Sequence, residues 1–426
     1  MKLKIEDAKH VFHSCLRNGA TIVTAMAASE PHTFFDLLCK YGKDFSGVTI
    51  FGANPNKNYE CMTQKEFVGH VCFHVLFLSA GLKLAQGKGL VHYIPQHLSQ
   101  WSAHMRERDI DIFWGVCSEP NEKGYVNLGL NLTYESEMLR HANKVVLEVV
   151  PGLPKVGGST WVHVSEVDHF INGSGELHKI KSDRTPTELD LQIAAHVAEL
   201  VPDDATIQLG IGRIPDAVAL ALRHRSNLGI HTELFTESMK DLFLSGNITG
   251  KRKTLYPRKM VASFILGSQE LYDFVNEHPA VELLPSSFVN NPYWVGKNYR
   301  MHSINTAVEV DITGQVCSES VGHRELSGVG GATDTHTGAQ RSPGGRGIIA
   351  IPSVTPDARF SKIVFELKPG AKVSISRNDV DTIVTEYGSA RLRGLSVAER
   401  ANKLISLAHP DFREKLRSQA EEAGYI

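Results

Sequence analysis

Short apolar runs punctuate the chain at fairly even intervals. In the first half they are GVTIFG (47–52), LVHYIP (90–95), DIDIFWGV (109–116) and KVVLEVV (144–150), with helix-like segments between them. The second half continues with ATIQLGIG (205–212), LGIHTEL (228–234), RGIIAIP (346–352), KIVFEL (362–367) and DTIVTEYG (381–388). Strands separated by helical stretches of roughly 10–20 residues pair in parallel, because a parallel neighbour needs a crossover long enough to hold a helix. Between the halves, ELHKIKSDRTPTELD (176–190) is polar and carries Pro186. Thr187 with Asp190 three residues on forms a capping-box signature, and Leu191, Ala194, Val197, Ala198 and Val201 then recur at helical spacing. The pattern predicts an α/β fold of two similar open domains with largely parallel sheets, residues 1–185 and 186–426. From Ser396 the charged, amphipathic end predicts helix, broken at Pro410.

Composition narrows the partners. The chain has 426 residues, which at the usual ~150 per domain is more than one core. Lys plus Arg number 45 against 47 Asp plus Glu, a formal charge of −2, so nucleic acid is excluded as the main partner, since phosphate recognition leaves a basic excess. With 42% hydrophobic and 22% charged residues the chain is an ordinary globular one. The most apolar stretch, Val71 to Leu84, is interrupted by His74 and Lys83 and falls short of the ~20 residues a bilayer core needs. Glu6 and Asp7 precede any apolar run, unlike a secretory or transit segment, so no membrane association and a cytoplasmic location are expected. Cys15, Cys39, Cys61, Cys72, Cys117 and Cys317 stand singly and read as reduced thiols. His70 and His74 have the spacing of two metal ligands on one helix face but lack the acidic neighbour of H-E-x-x-H, so structural histidines and no metal are expected.

Three segments carry chemistry. In IQLGIGRIPD (207–216) an apolar strand runs into Gly210-Ile211-Gly212, with Pro215 in the first turn of a following helix. Such a turn lets a nucleotide-like ligand approach the backbone and the helix N-terminus, and a plain tight turn explains it equally. In LGIHTELF (228–235), Glu233 closes a strand at the sheet edge where ligands of open α/β folds sit. On that segment alone a helix-capping or surface glutamate is the stronger reading. The third segment, LSGVGGATDTHTGAQRSPGGRGII (326–349), is rich in glycine. Its backbone N–H groups suit an oxyanion hole, and a surface loop is the alternative.

Taken together the segments resemble the acetyl-CoA hydrolase/transferase family, the CoA-transferases of the 4-hydroxybutyrate and butyrate:acetate type, over nearly the whole length. The resemblance is carried by FGANP (51–55), YIPQHLS (93–99), SEPNEKGYVNLG (118–129), IQLGIGRIPDA (207–217), GIHTELF (229–235), NTAVEVDITGQV (305–316), the glycine loop, IVTEYGSARLRG (383–394) and LISLAHPDFRE (404–414). It implies Glu233 as covalent nucleophile, displacing the capping reading. It implies a coenzyme A site bordered by Gly210, Ile211, Gly212, Arg213, Ile214, Val308 and Gly331, with Gln208, Gly330 and Gly331 at the acyl pocket or oxyanion hole. The activity implied is ping-pong transfer of CoA from an acyl-CoA to a short-chain carboxylic acid through a glutamyl-CoA thioester, in an acyl pocket between the two halves. Coenzyme A enters as substrate, without metal, and a homo-oligomer is expected from the relatives. Hydrolysis by the same glutamate is one alternative, and a non-catalytic CoA-binding regulatory protein another.

Departures from the family pattern bear on the acid. Where relatives commonly read G-G-Q-x-D-F, this chain has Gly330-Gly331-Ala332-Thr333-Asp334-Thr335. The hydroxyls of Thr333 and Thr335, with His336, predict a more polar pocket, suited to a dicarboxylate such as succinate or itaconate over simple butyrate; Ala332 enlarging an apolar pocket is the alternative. Arg213 and the Lys-Arg-Lys run at 251–253 are candidates for CoA phosphates, the run reading more naturally as a solvated face.

Overall fold

The computed structural model describes every residue except 1–2, 53–56, 84, 86, 176 and 181–184. The chain forms two compact units, Met1–Ser182 with Val261–Val289, and Asp183–Met260 with Asn290–Ile426.

The first unit is built on eight strands: Ile5–Glu6 (β1), Thr21–Thr24 (β2), Val48–Gly52 (β3), Val71–Val75 (β4), Val91–Tyr93 (β5), Ile112–Cys117 (β6), Lys144–Val149 (β7) and His169–Asn172 (β8). They run all parallel in the spatial order β1-β8-β7-β6-β2-β3-β4-β5. All six residues of β6 are buried, as its unbroken apolar sequence requires of a central strand covered on both faces. β4, near the edge, alternates buried and half-buried. Helices Ala8–Cys15 (α1) and His32–Tyr41 (α2) set Phe12, Phe34 and Leu38 against Ile22, Ile50 and Trp114 of the sheet. In β7 the buried Glu148 accepts from the N–H groups of Thr33 and Phe34 at the start of α2 and from Trp114 Nε1, so this carboxyl serves the helix end.

Val261–Val289 is part of this unit and is tied into it by backbone hydrogen bonds. Leu132 N–H donates to Ser263 O (2.9 Å), Ile265 N–H to Leu130 O (2.8 Å), and Val281–Leu283 pairs in parallel with Gly157–Gly158. The sequence predicts a contiguous second domain, and nothing in the apolar spacing of this excursion marks it. His70 and His74 differ from the helical spacing that drew notice to them, since β4 is a strand. His70 Nδ1 lies 2.6 Å from Phe45 O, and the His74 ring rests against Phe51 and His92. All six thiols are free, and Cys39 and Cys61, unrelated in sequence spacing, bring their Sγ atoms to 3.1 Å.

In the second unit six strands, Thr206–Leu209 (β9), Gly229–Phe235 (β10), Met301–Asn305 (β11), Arg346–Ala350 (β12), Thr382–Thr385 (β13) and Gly388–Arg391 (β14), lie in the order β14-β13-β12-β11-β9-β10. All neighbours are parallel save the hairpin β13–β14. The predicted strand at 362–367 shrinks to Ile363–Val364. Thr187 caps helix Glu188–Leu200 (α3) with a reciprocal box: Asp190 N–H donates to Thr187 Oγ1, and Thr187 N–H to Asp190 Oδ2 (2.9 Å). The face α3 buries is Ile193, Ala194 and Val197, while Leu191, predicted in the stripe, is exposed. Helices Arg213–Ala221 (α4), Glu237–Leu244 (α5) and Ala332–Arg341 (α6) follow β9, β10 and the glycine loop. The C-terminal pair Val397–Leu407 (α7) and Pro410–Glu422 (α8) is divided where Pro410 opens the second helix, since its missing N–H costs nothing at that position. Among the described residues no helix is long and apolar enough to cross a membrane.

Successive strands step away from β9 on opposite sides, to β10 and then to β11. The carboxyl ends of β9 and β11 are therefore the topological switch point, where the diverging connections leave a crevice.

Candidate active site

Glu233 is the fifth residue of β10 and its only half-buried one; the other six are buried. Asn290 Nδ2 donates to its Oε2 at 2.9 Å, and the Gly331 N–H donates to the carboxylate. Loss of water around the carboxyl raises its pKa to about 7, the Asn290 and Gly331 donors pull it down, and the charge of Asp334 pushes it up. A carboxyl poised there is half ionised at neutral pH and poorly hydrated, the condition under which a carboxylate attacks an acyl carbon.

The turn before α6 is shaped to this side chain. Gly330 adopts φ +55°, a left-handed conformation that glycine takes without strain. A Cβ at 330 would lie 3.7 Å from Glu233 Oε1, whereas one at 331 would overlap both Glu233 Oε2 and Asn290 Nδ2. Glycine at 331 is thus required by close approach and not by torsion, its φ of −98° being open to any residue.

Gln208, at the end of β9, is buried, and its amide is fully engaged at the switch point. Oε1 accepts from Ser303 Oγ (2.6 Å) and Asn305 Nδ2 (3.1 Å) and lies 3.2 Å from Thr335 Oγ1, while Nε2 donates to Asn305 Oδ1 (3.2 Å). The polar gains expected near the acid therefore separate. Thr335 joins this network, Thr333 donates to Ser374 O, and His336 is buried with Nε2 accepting the Asp381 N–H.

Gly210 follows β9 beside Asn305, with 3.1 Å between a Cβ there and Asn305 Oδ1. Gly212, at φ +134°, stands at the N-terminus of α4, Ile214 is buried, and Ile211 projects with 58% of its surface exposed. Arg213 is partnered: its Nε lies 3.4 Å from Asp190 Oδ2. Val308 is half-buried, and its N–H donates to Cys317 O. The basic run is no solvated face at Lys253, which is buried and donates from Nζ to the carbonyls of Ile230 (2.6 Å) and Lys259 (2.8 Å), burial lowering its pKa to about 7. Of the predicted residues, then, Glu233, Gly330 and Gly331 come together, Gln208 stands with Gly210 through Asn305, and Val308 is half-buried with its N–H paired to Cys317 O. Of FGANP, residues 53–55 lie outside the described residues. Asn290 was not foreseen: its Asn-Asn-Pro context carries no motif, and only folding brings it to Glu233.

Removing the Asn290 donor leaves the carboxylate less stabilised relative to the acid, so the Glu233 pKa rises. Asn290→Ala is expected to move the acid limb of the pH–rate profile up by about one unit, the rough worth of one hydrogen bond to a charged group. Initial rates between pH 5 and 9 check this; a limb that stays put or moves down contradicts it.

Fold and site define an α/β enzyme that presents a desolvated carboxylate against a glycine turn. The chain belongs to the acetyl-CoA hydrolase/transferase family: the model of the family's N-terminal domain matches residues 44–176 and that of its C-terminal domain 267–420. It is 38% identical over 408 residues to the 4-hydroxybutyrate coenzyme A transferase of Clostridium kluyveri, covering 95% of each chain. Among solved structures, RipA from Yersinia pestis superposes with a TM-score of 0.93 at 31% identity, covering 99% of this chain and 98% of that one. The acetyl-CoA hydrolase of Yarrowia lipolytica is more distant, 26% identical over 80% of this chain and 73% of that one. Relatives at 33–38% identity over most of the chain are named as CoA transferases, and the protein is an enzyme of that kind.

Proposed function

We propose that the enzyme moves CoA between short-chain carboxylic acids by ping-pong chemistry on Glu233. The observation that carries this is the Glu233 carboxyl held by Asn290 and the Gly331 N–H, at a turn with no room for a side chain. The carboxylate attacks the carbonyl of a donor acyl-CoA, the carbon–sulfur bond breaks, and a glutamyl–acyl anhydride and CoA thiolate result. The thiolate attacks the glutamyl carbonyl and expels the first acid, leaving a glutamyl-CoA thioester. A second carboxylate reverses both steps, so the new acyl-CoA leaves and Glu233 is restored. One thioester replaces another, so the sequence needs little driving force.

The two donors on Glu233 suit the second step. When sulfur adds to the glutamyl carbonyl, negative charge develops on an oxygen of Glu233 itself, where Asn290 Nδ2 and the Gly331 N–H already point. The exposed Ile211 beside Gly210 and Gly212 offers apolar surface for the pantetheine and adenosine portions of CoA, whose binding energy far from the carbonyl goes into positioning. For the acid, the polar expectation loses its support, since Thr333 and His336 are engaged elsewhere and Thr335 is buried with its hydroxyl engaged in the Gln208 network.

Intact-mass spectrometry after incubation with an acyl-CoA tests the proposal. The expected result is a protein-bound CoA that a short-chain acid releases as its own CoA ester. No adduct on the parental protein would sink it, and an adduct that only water discharges would make the enzyme a hydrolase.

A further inference from the structure

The four side chains at the switch point form a closed polar cluster. Ser303 and Thr335 are at most 1% exposed, Gln208 3% and Asn305 7%, so each donor and acceptor has to be satisfied within the protein. Proton counting orders the cluster. Ser303 has one hydroxyl proton, and its shortest contact is Gln208 Oε1 at 2.6 Å. Asn305 Nδ2 supplies a second proton to that oxygen at 3.1 Å, which fills both lone pairs. The remaining proton of Asn305 lies nearest Ser303 Oγ (3.0 Å), with Thr335 Oγ1 farther off at 3.4 Å, and the Thr335 proton, shut out from the filled Gln208 Oε1, goes to the Gly331 carbonyl at 3.0 Å.

Gly331 is thereby held at both ends. Its carbonyl accepts from the Thr335 N–H (2.9 Å) and from the Thr335 hydroxyl, and its own N–H donates to Glu233. The hydroxyl oxygen in turn rests 2.9 Å from Ser303 Oγ of β11, whose own proton goes to Gln208 of β9, and 3.4 Å from Asn305 Nδ2. We propose that Thr335 is a positioning residue, which by holding the Gly331 carbonyl steadies that residue and with it the N–H on its other side that Glu233 uses, so that the buried cluster sets the reactivity of a side chain it does not touch. This assignment rests on Glu233 being the nucleophile.

Thr335→Val keeps the shape and deletes the hydroxyl. It is expected to lower kcat by about tenfold with KM within twofold, because the donor is misplaced without loss of CoA contacts. A weaker Gly331 donor also favours the protonated form of Glu233, so the acid limb moves to higher pH. The groups that face this carboxyl are the charged Asp334 and the neutral Asn290 and Gly331, all left in place by the substitution. Thr335→Ser, which restores the hydroxyl, is expected to return both kcat and the pH limb.

Ser303→Ala provides a second variant. It frees a lone pair of Gln208 to compete for the Thr335 proton, and the expected result is the same upward shift in smaller size. Folded Thr335→Val and Ser303→Ala proteins with parental pH limbs and kcat, differing only in melting temperature, would reduce the cluster to a structural role and overturn the proposal. Should Thr335→Val fail to fold, the pH limb of Ser303→Ala decides. The CoA adduct on the parental protein keeps two failures apart: no adduct removes the nucleophile, whereas an adduct with unmoved variants removes only the role of Thr335.

Discussion

Glu233→Ala is expected to abolish CoA transfer, with a loss on the order of 10⁴-fold or more, because the covalent intermediate has no other seat. The neighbouring carboxyl, Asp334, is buried on α6, and the turn and donors are built around the side chain of β10, not around it. Glu233→Gln gives the sharper version. It preserves volume and an oxygen that accepts from Asn290, yet a carboxamide does not form the anhydride, so the same loss is expected in a protein that melts within a few degrees of the parent. Exchange rates between an acyl-CoA and a labelled acid, with intact masses of the same samples, measure both. A Glu233→Gln protein that exchanges at the parental rate, or carries the CoA adduct, would mean that another group forms the bond. Between about pH 5 and 9 the parental rate is expected to rise through the Glu233 pKa of about 7, since the attacking form is the carboxylate.

Strands β3, β5, β6, β7, β9, β10, β12 and β13 and the capping box at Thr187 were legible along the chain because they depend on near neighbours, whereas β1, β2, β4, β8, β11 and β14 were not picked out. Period, run length and a reciprocal pair three residues apart are local quantities. The site was legible only in part. The segment around Glu233 by itself favoured a capping or surface glutamate, and what sets it apart is a donor 57 residues away and a turn packed against it without a side chain. The Gln208 cluster joins residues separated by 97 and 127 positions, and no local signal marks such a pairing. The same holds for Lys253. A run of three basic residues reads as a solvated face unless the carbonyls of Ile230 and Lys259 are known to meet one of them inside the protein. The return of Val261–Val289 to the first unit escaped notice for a related reason, its hydrogen-bond partners at Leu130 and Leu132 being invisible in its own pattern. Resemblance over the whole chain pointed to Glu233, which local reasoning set aside, and the structure supplied Asn290 and Thr335, which neither had singled out as partners.

A contrast between the two glycines of the turn separates close approach from backbone conformation. Gly331→Ala is expected to reduce the rate by about 10²-fold or more. Its Cβ enters the space of Glu233 Oε2 and Asn290 Nδ2, so either the carboxyl swings away from its donor or the turn withdraws, and a displacement near 1 Å at a reacting group costs on that order. Stability falls less than the rate, because φ −98° suits alanine and the atoms met are the ends of the Glu233 and Asn290 side chains and not backbone. Gly330→Ala shows the opposite balance. Its Cβ meets Glu233 Oε1 only at ordinary contact distance, 3.7 Å, while φ +55° imposes roughly 1 kcal/mol of strain on alanine. A few-fold drop in rate with a measurable fall in melting temperature is therefore expected at 330, and the reverse pairing at 331. Steady-state rates and thermal melts of the two variants decide the matter. If Gly330→Ala lost the more activity, torsion and not crowding would govern the turn, and the tight seat for the Glu233 carboxyl would no longer explain why position 331 lacks a side chain.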